Sequence, residues 1–381
     1  MSAAPDLQIW VYPEEIPLAG PVALARLVAD LGFDGLSVAL SYHQCQRVLP
    51  RYGVVRPGAA GGLQFRPDRD RYATLAPVPA PNAVGEDAIR ALRRACDDVG
   101  IAFRVWLVVL DNEQLAGAHP EEAAQTLDGT PTLHALCPSR SSVRRYAAAL
   151  VADVVDRFRP DALDLEASIY PRWNGYVAEI ALDPTAPRLR RFTAQCVCGA
   201  CSSLFEREGV DVAEAEAALR AAAGLPVGAV AEAIDGAATL AKIAAARDSG
   251  AARLLADVAG AAGDARLQLL AFGEPLDLMM QGLGSHVAQM VDTVLIGLGD
   301  AGGAALGAAL DLHLENRDPV RTAIGLNWTP ARSGEAFSRD VADAVARGIA
   351  GLSMYNLSLL PTRGVEEVRA AMALLGAATT T

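Results

Sequence analysis

Short apolar runs alternate with longer amphipathic stretches along this chain, and that alternation predicts its fold class. Eight β-rich runs stand out, at 7–13, 35–42, 102–111, 162–168, 266–274, 293–300, 322–328 and 348–356. Each is followed by a loop and a helical pattern, and strands that alternate with helices imply parallel pairing. Eight such units predict an α/β fold, a closed (β/α)8 TIM barrel. The last four runs recur about every 26 to 29 residues, close to the length of one minimal βα unit.

Two stretches break the rhythm. Residues 44–82 are rich in Pro, Gly and Arg, too irregular for a helix and too long for a plain connector, and are expected to form a long loop over the barrel mouth after strand 2. Residues 170–265 hold a cysteine cluster and then Ala-rich helical stretches at 212–223 and 227–261. They are expected to form a helical insertion after strand 4, or an oligomer surface, within a single barrel domain spanning 1–381.

Composition narrows the partners. The chain has 381 residues, is 52% hydrophobic largely through alanine, and carries a formal charge of −12. No segment sustains the roughly 20 apolar residues of a membrane span, and no basic run is long enough to track a phosphate backbone. Nucleic acid and membranes are therefore not expected as partners; a small molecule is, with a homo-oligomer allowed. The start, MSAAPDLQIWVYP, has neither a basic n-region nor an apolar h-region, so a cytoplasmic location is expected. The single lysine, Lys242, lies in a helical stretch away from any strand end, which argues against Schiff-base chemistry.

In such barrels the reacting groups lie at the carboxyl ends of the strands. The fourth run places Asp164 and Glu166 on one face, because side chains alternate along a strand. Burying an unpaired carboxylate costs several kcal/mol, roughly, so this face needs a polar pocket or an ion-pair partner. Arg104, on the adjacent strand, can pair with Asp164 and leave Glu166 as the free acid. Glu166 is the expected catalytic residue; Glu274 and Asp300 are the candidate second carboxylates, and His43, ending the second strand, is a candidate for proton transfer. The third strand ends in Asp111 and Asn112. Tyr12, Tyr42, Arg104, Trp106, Asp164, Asn327, Trp328 and Tyr355 complete a polar ring with aromatic walls, and Trp106, Trp173, Trp328 and Tyr355 offer faces on which sugar rings stack.

Six cysteines are present. Cys196, Cys198 and Cys201 are spaced closely enough to share one tetrahedral metal, with Cys137 as the nominated fourth ligand and structural Zn²⁺ as the expected ion. Four thiolates leave no open position for catalysis.

An acid ending the fourth strand, followed by Cys-x-Cys-x-x-Cys, resembles the zinc-bearing β-galactosidases of family 42. The resemblance implies that Glu166 is a general acid/base. Those enzymes carry Asn-Glu where this chain has Leu165-Glu166, and a seventh-strand glutamate where it has Asn327-Trp328. Ser41-Tyr42-His43, the run from Arg47 to Arg51, Leu136-Cys137-Pro138-Ser139 and Asp164-Leu165-Glu166 look like a group of bacterial barrel proteins described as glycosidase-like. Asp161-x-x-Asp164-x-Glu166 also resembles the acid ladder of family 18 chitinases, whose catalytic glutamate falls in the register of Ser168. The expected activity is cleavage of a glycosidic bond in a small glycoside, with Glu166 held protonated by an apolar wall. The alternatives are a non-hydrolytic lyase or isomerase acting on a sugar or natural product, and a sugar-binding barrel without catalysis.

Overall fold

The computed structural model describes residues 4–59, 61–172, 186–227, 235–315 and 317–379. Eight parallel strands close on themselves: β1 (Asp6–Val11), β2 (Gly35–Tyr42), β3 (Ala102–Val108), β4 (Ala162–Glu166), β5 (Arg266–Phe272), β6 (Thr293–Gly299), β7 (Thr322–Asn327) and β8 (Gly351–Tyr355). Closure is explicit in the register, with Gln8 of β1 opposite Ser353 of β8 on one side and Trp10 opposite Ser37 of β2 on the other. The (β/α)8 barrel expected from the apolar rhythm is the fold observed. All the strands except β2 stop one to three residues before the apolar runs do, and β8 also starts later. The backbone turns left-handed at Ala167 (φ 49°), directly after Glu166, and at Gly348 (φ 71°) before β8, while residues 109–111 leave the regular strand.

Alternation sorts the side chains into two cores. Ile9, Val11, Leu36, Val38, Phe103, Val105, Leu163 and Leu165 face outward and are fully covered by the helices. Trp10, Tyr12, Ala39, Trp106, Val108, Leu270, Leu295 and Ala323 face inward and fill the barrel. Helix boundaries follow the usual logic: Glu86–Val99 opens on Glu86 and Asp87, buries Ile89, Leu92 and Cys96, and stops at Gly100 in a left-handed conformation.

The floor of the barrel is polar, which is unusual for an interior, and the carboxylate at its centre is fully paired. Asp164 accepts from Arg104 Nη2 (2.6 Å) and Nε (3.2 Å), from the Ser37 hydroxyl (2.5 Å) and from Gln268 Nε2 (3.0 Å). Gln8 Nε2 donates in turn to Gln268 Oε1 at 2.9 Å, and Arg104 also reaches Asp6 at 3.1 Å. One carboxylate thus ties β2, β3, β4 and β5 together.

The stretch 44–82 is more ordered than its composition predicts. Cys45–Leu49 and Val54–Ala59 form an antiparallel hairpin around a short 3-10 turn, and Gly62–Leu63 adds to the edge of β2. Arg47 of this hairpin pairs with Glu14 at 2.9 Å, and its guanidinium lies over the Tyr12 ring (4.0 Å) and the Tyr42 ring (4.8 Å). Arg51 and Tyr52 both bond Glu15. The hairpin is therefore strapped across the β1 and β2 side of the mouth. Between β4 and β5, helices Ala186–Thr193, Gly199–Arg207 and Val212–Ala223 precede Gly236–Ala261, which packs along Ser141–Phe158 in the outer ring.

Removing one member of the floor pair leaves a buried, uncompensated charge. Asp164→Leu is expected to lower stability by about 3–5 kcal/mol in urea unfolding, whereas Arg104→Met combined with Asp164→Leu costs less than Asp164→Leu alone. A double variant at least as unstable as that single one would refute the account.

Candidate active site

Glu166 ends β4 with its side chain inside the mouth, partly buried, and one oxygen accepts the indole N–H of Trp106 at 2.8 Å. Past the end of β3 the chain keeps bonding to β4: Val109 N–H donates to Glu166 O (2.9 Å) and Leu110 N–H to Ala167 O (3.0 Å). Asp111, the next residue, is bridged on its other side to Ala135 of the strand Pro131–Leu136. This double anchoring brings Asp111 to the cavity that Glu166 lines. The same cavity, about 50 Å³, is lined by His43, Arg172, Leu270 and Phe272, and at roughly 15 Å³ per water centre it holds a few waters.

The electrostatics of this cavity favour protons. Burial pushes the Asp111 carboxyl up to about 7, and the nearby Glu166 charge adds to the effect, while His43 and Arg172 oppose it. Burial also raises Glu166, against the pull of His43, the Trp106 N–H and Arg172. Two acids at one site cannot both ionise freely, so they titrate as a pair. His43 Nδ1 lies 2.8 Å from the Gln44 carbonyl; a carbonyl only accepts, so Nδ1 carries the proton and Nε2 is the basic nitrogen. Its ring stacks on Tyr42 at 4.4 Å.

Of the residues expected here from sequence, Glu166 and His43 meet at the cavity, and Trp106 joins them through its bond to Glu166. Tyr12, Tyr42 and Tyr355 form its aromatic neighbour, with Tyr12 Oη 2.7 Å from Tyr355 Oη and 3.4 Å from Tyr42 Oη. Burial pushes Tyr42 and Tyr355 well up, and the Glu166 charge contributes. The other expectations need correction. Arg104 and Asp164 are consumed by the floor network and are almost entirely inaccessible, which leaves nothing of them for a ligand. Glu274 caps the helix Pro275–Met280 and pairs with Arg191 at 3.1 Å, and it lines a neighbouring cleft instead of the Glu166 cavity. Asp300 accepts from Asn327 Nδ2 at 3.0 Å, so these two satisfy each other at the rim of β6 and β7. Trp328 donates its indole N–H to Glu367 (2.9 Å) and rests on the final helix. Trp173 lies outside the described residues. Asp111, the acid that does join Glu166, was visible as a strand-end residue; nothing in the sequence says that the chain beyond β3 stays bonded to β4.

A second cluster lies beside the mouth. Cys137 follows the strand that braces Asp111, and its sulfur meets those of Cys196, Cys198 and Cys201 in a buried group, all within 4.8 Å of one another. Four of the separations are 3.5, 3.6, 3.7 and 3.9 Å. A tetrahedral metal with sulfur at about 2.3 Å spaces its ligands by about 3.8 Å, whereas a disulfide needs about 2.05 Å. The group could therefore hold a metal ion, and the nominated fourth cysteine belongs to it. A further observation fits an anionic site. Arg247 is completely buried, stacked between Tyr170 (4.5 Å) and Phe205 (5.5 Å), and donates Nη2 to the Cys196 carbonyl at 2.7 Å. Its Nε and Nη1 have no hydrogen-bond partner, and no carboxylate pairs with it among the described residues. Four thiolates around a divalent ion carry a net double negative charge, which is what such a cation lacks.

No protein-family model matches the sequence, and no curated protein matches it. Solved structures do resemble the fold. The glycoside hydrolase domain of PgaB (BpsB) from Bordetella bronchiseptica superposes with a TM-score of 0.62 at 12% identity, covering 97% of this chain and 99% of that one. The catalytic domain of β-amylase from Paenibacillus polymyxa gives 0.56 at 11%, covering 98% of each chain. α-L-Fucosidase isoenzyme 2 from Paenibacillus thiaminolyticus gives 0.56 at 12%, with 99% of this chain matching 50% of that one. These neighbours are glycosidase barrels, and at such identity the likeness is one of fold. No helix among the described residues is long and apolar enough to cross a membrane.

The raised Asp111 carboxyl makes a stability prediction. Unfolded, it titrates near pH 3.9 or so; folded, near 7. Below the lower value both states are protonated, so the stability it contributes is intact there and is lost as pH rises through 7. Asp111→Asn is thus expected to gain on the order of 1–3 kcal/mol at pH 8 relative to its effect at pH 4. Thermal melts at the two pH values check this; an equal effect at both would contradict the burial.

Proposed function

We propose that the chain is a glycoside-hydrolase-like enzyme that cleaves a glycosidic bond in a small glycoside, with Asp111 and Glu166 as its carboxyl pair. The observation that carries this reading is the convergence of two acids from adjacent strand ends on one cavity, both with raised protonation. The likeness to glycosidase barrels supports the reaction class only through the fold. Within the pair, the Trp106 N–H stabilises a charged Glu166, whereas no side chain or backbone group donates to the Asp111 carboxyl among the described residues. Asp111 is therefore the proton donor and Glu166 the carboxylate that acts as base or nucleophile, a reversal of the role read from sequence. Water occupies the small cavity, and the sugar lies in the adjoining cleft of about 310 Å³, which shares Arg172, Phe272 and Gln281 with it. His43 beside two acids also supports a lyase or isomerase; solvent ¹⁸O enters the product only in hydrolysis.

The cysteine cluster takes structural Zn²⁺ in this reading, held by Cys137, Cys196, Cys198 and Cys201 with Arg247 balancing its charge. Six cysteines without a disulfide among them fit a reducing compartment such as the cytoplasm.

Glu166→Gln and Asp111→Asn are each expected to lower kcat by about 10²–10⁴ on a glycoside that the wild type turns over, with KM little changed. Wild-type turnover in either variant overturns the assignment. Purified protein is expected to carry one zinc per chain by elemental analysis. Arg247→Met is expected to weaken zinc about 10–100-fold in competition with a chromogenic chelator, and an unchanged affinity removes Arg247 from the site.

A further inference from the structure

The cleft that opens from the acid cavity is electropositive in an otherwise acidic protein. Three arginines and two carboxylates line it, while the chain as a whole carries −12. The two carboxylates are already committed: Asp277 and Glu274 pair with Arg191 at 2.5 and 3.1 Å, and Asp277 also accepts the Glu274 backbone N–H at 3.1 Å. Arg172 and Arg190 have no carboxylate partner among the described residues. Arg172 rests over the Phe272 ring at 4.9 Å and reaches only the Phe272 carbonyl, at 3.5 Å. Arg190 is exposed on the helix Ala186–Thr193 across the cleft. Gln195 is 2% exposed, gives its amide N–H to the Arg191 carbonyl at 2.7 Å, and leaves its side-chain oxygen without a donor at the cleft wall.

These groups describe a ligand. Two guanidinium groups without an ion-pair partner among the described residues call for an anion, for which Arg is the preferred partner of carboxylate and sulfate because its fork makes paired hydrogen bonds. A buried, unpartnered amide oxygen calls for a hydroxyl donor. A sugar bearing an acidic group has both. We infer that the cleft between the barrel and helix Ala186–Thr193 is a subsite for an anionic glycoside, its charged group held by Arg172 and Arg190 and a hydroxyl by Gln195. This rests on the proposed glycosidase reading for its chemistry but not for its binding test.

The placement of Arg172 adds a mechanistic consequence. It lines both the cleft and the acid cavity, and its charge draws Asp111 and Glu166 down. An anion on Arg172 cancels that pull, so an acidic substrate favours the protonated donor at the moment it binds, and a neutral analogue does not.

The test uses full-length Glu166→Gln protein, in which binding is read without turnover. Calorimetry compares methyl β-D-glucuronide, methyl β-D-galacturonide and methyl β-D-glucoside 6-sulfate with the neutral methyl β-D-glucoside and galactoside and with methyl β-D-glucosaminide. At least one acidic glycoside is expected to bind about tenfold or more tightly than its neutral counterpart, a difference of about 1.4 kcal/mol. That preference is expected to vanish when Arg172→Gln and Arg190→Gln are added. The carboxylate and sulfate arms identify the anion. Equal binding of acidic and neutral glycosides, tighter binding of the aminosugar, absence of binding by every acidic glycoside, or a preference that survives loss of both arginines overturns the inference. If the preference holds while wild-type protein cleaves none of the compounds, the hydrolase reading fails and the subsite stands.

Discussion

The burial of a single carboxylate organises this barrel. Asp164 points into the interior from the middle of β4, and a charge there is tolerated only with every lone pair occupied. Arg104, Ser37 and Gln268 supply that from three other strands, so the floor network fixes the register of β2 through β5. With Asp164 locked downward, the period of two sends Glu166 to the mouth on the same face. The inward-facing floor is hydrophilic, with its carboxylate saturated; the layer above it, built on Trp10 and Trp106, is apolar, with ring centroids 4.9 Å apart. The aromatic layer separates the floor charges from those at the mouth, which is why one acid is structural and the other remains available for chemistry.

The mouth depends on a second set of constraints, supplied by loops. Asp111 owes its position to bonds from Val109 and Leu110 to β4 on one side and to the strand Pro131–Leu136 on the other, where Leu136 N–H donates to Leu110 O at 2.9 Å. The next residue after that strand is Cys137, whose sulfur belongs to the four-cysteine group. The path from the cluster to the acid is therefore a few backbone hydrogen bonds long. On its other flank the cluster includes Cys196, adjacent to Gln195 and close to Arg191 of the cleft wall. A metal held here would brace Asp111 and the cleft wall at once, joining the end of the strand Pro131–Leu136 to the start of the helix Gly199–Arg207.

The eight strands, the pairing of Arg104 with Asp164, the exposure of Glu166 at a strand end and the membership of Cys137 in the cysteine group were all legible in the sequence. Alternation and the βα period suffice for the first three, because those properties are set within one strand or between neighbours. The second acid was not legible. Glu274 and Asp300 are strand-end acids just as Asp111 is, but Glu274 is turned outward as the N-cap of a short helix and Asp300 is engaged by the Asn327 amide at the rim. What distinguishes Asp111 is a backbone path decided by hydrogen bonds to residues 22 to 57 positions away, which no local pattern encodes. The order within residues 44–82 was hidden for a similar reason: Arg47 and Arg51 hold the hairpin through Glu14 and Glu15, partners at the start of the helix Glu15–Ala19.

That hairpin also decides how a ligand approaches. Arg47 covers Tyr12 and Tyr42 and is itself held by Glu14, so the side of the mouth above β1 and β2 is closed by an ion pair and two cation–π contacts. On the opposite side, Gly297 of β6 permits Phe272 to fold across it, since a Cβ there would collide with the ring, and Phe272 then forms the wall shared by the acid cavity and the cleft. Among the described residues, the acid cavity therefore opens toward the cleft beside helix Ala186–Thr193. A polymer threading across the barrel would meet the Arg47 strap, whereas a short molecule or a chain end entering from the Arg172 side reaches Glu166 and Asp111 without displacing it. If the proposed glycosidase reading holds, this asymmetry favours a small or terminal sugar over the interior of a long chain.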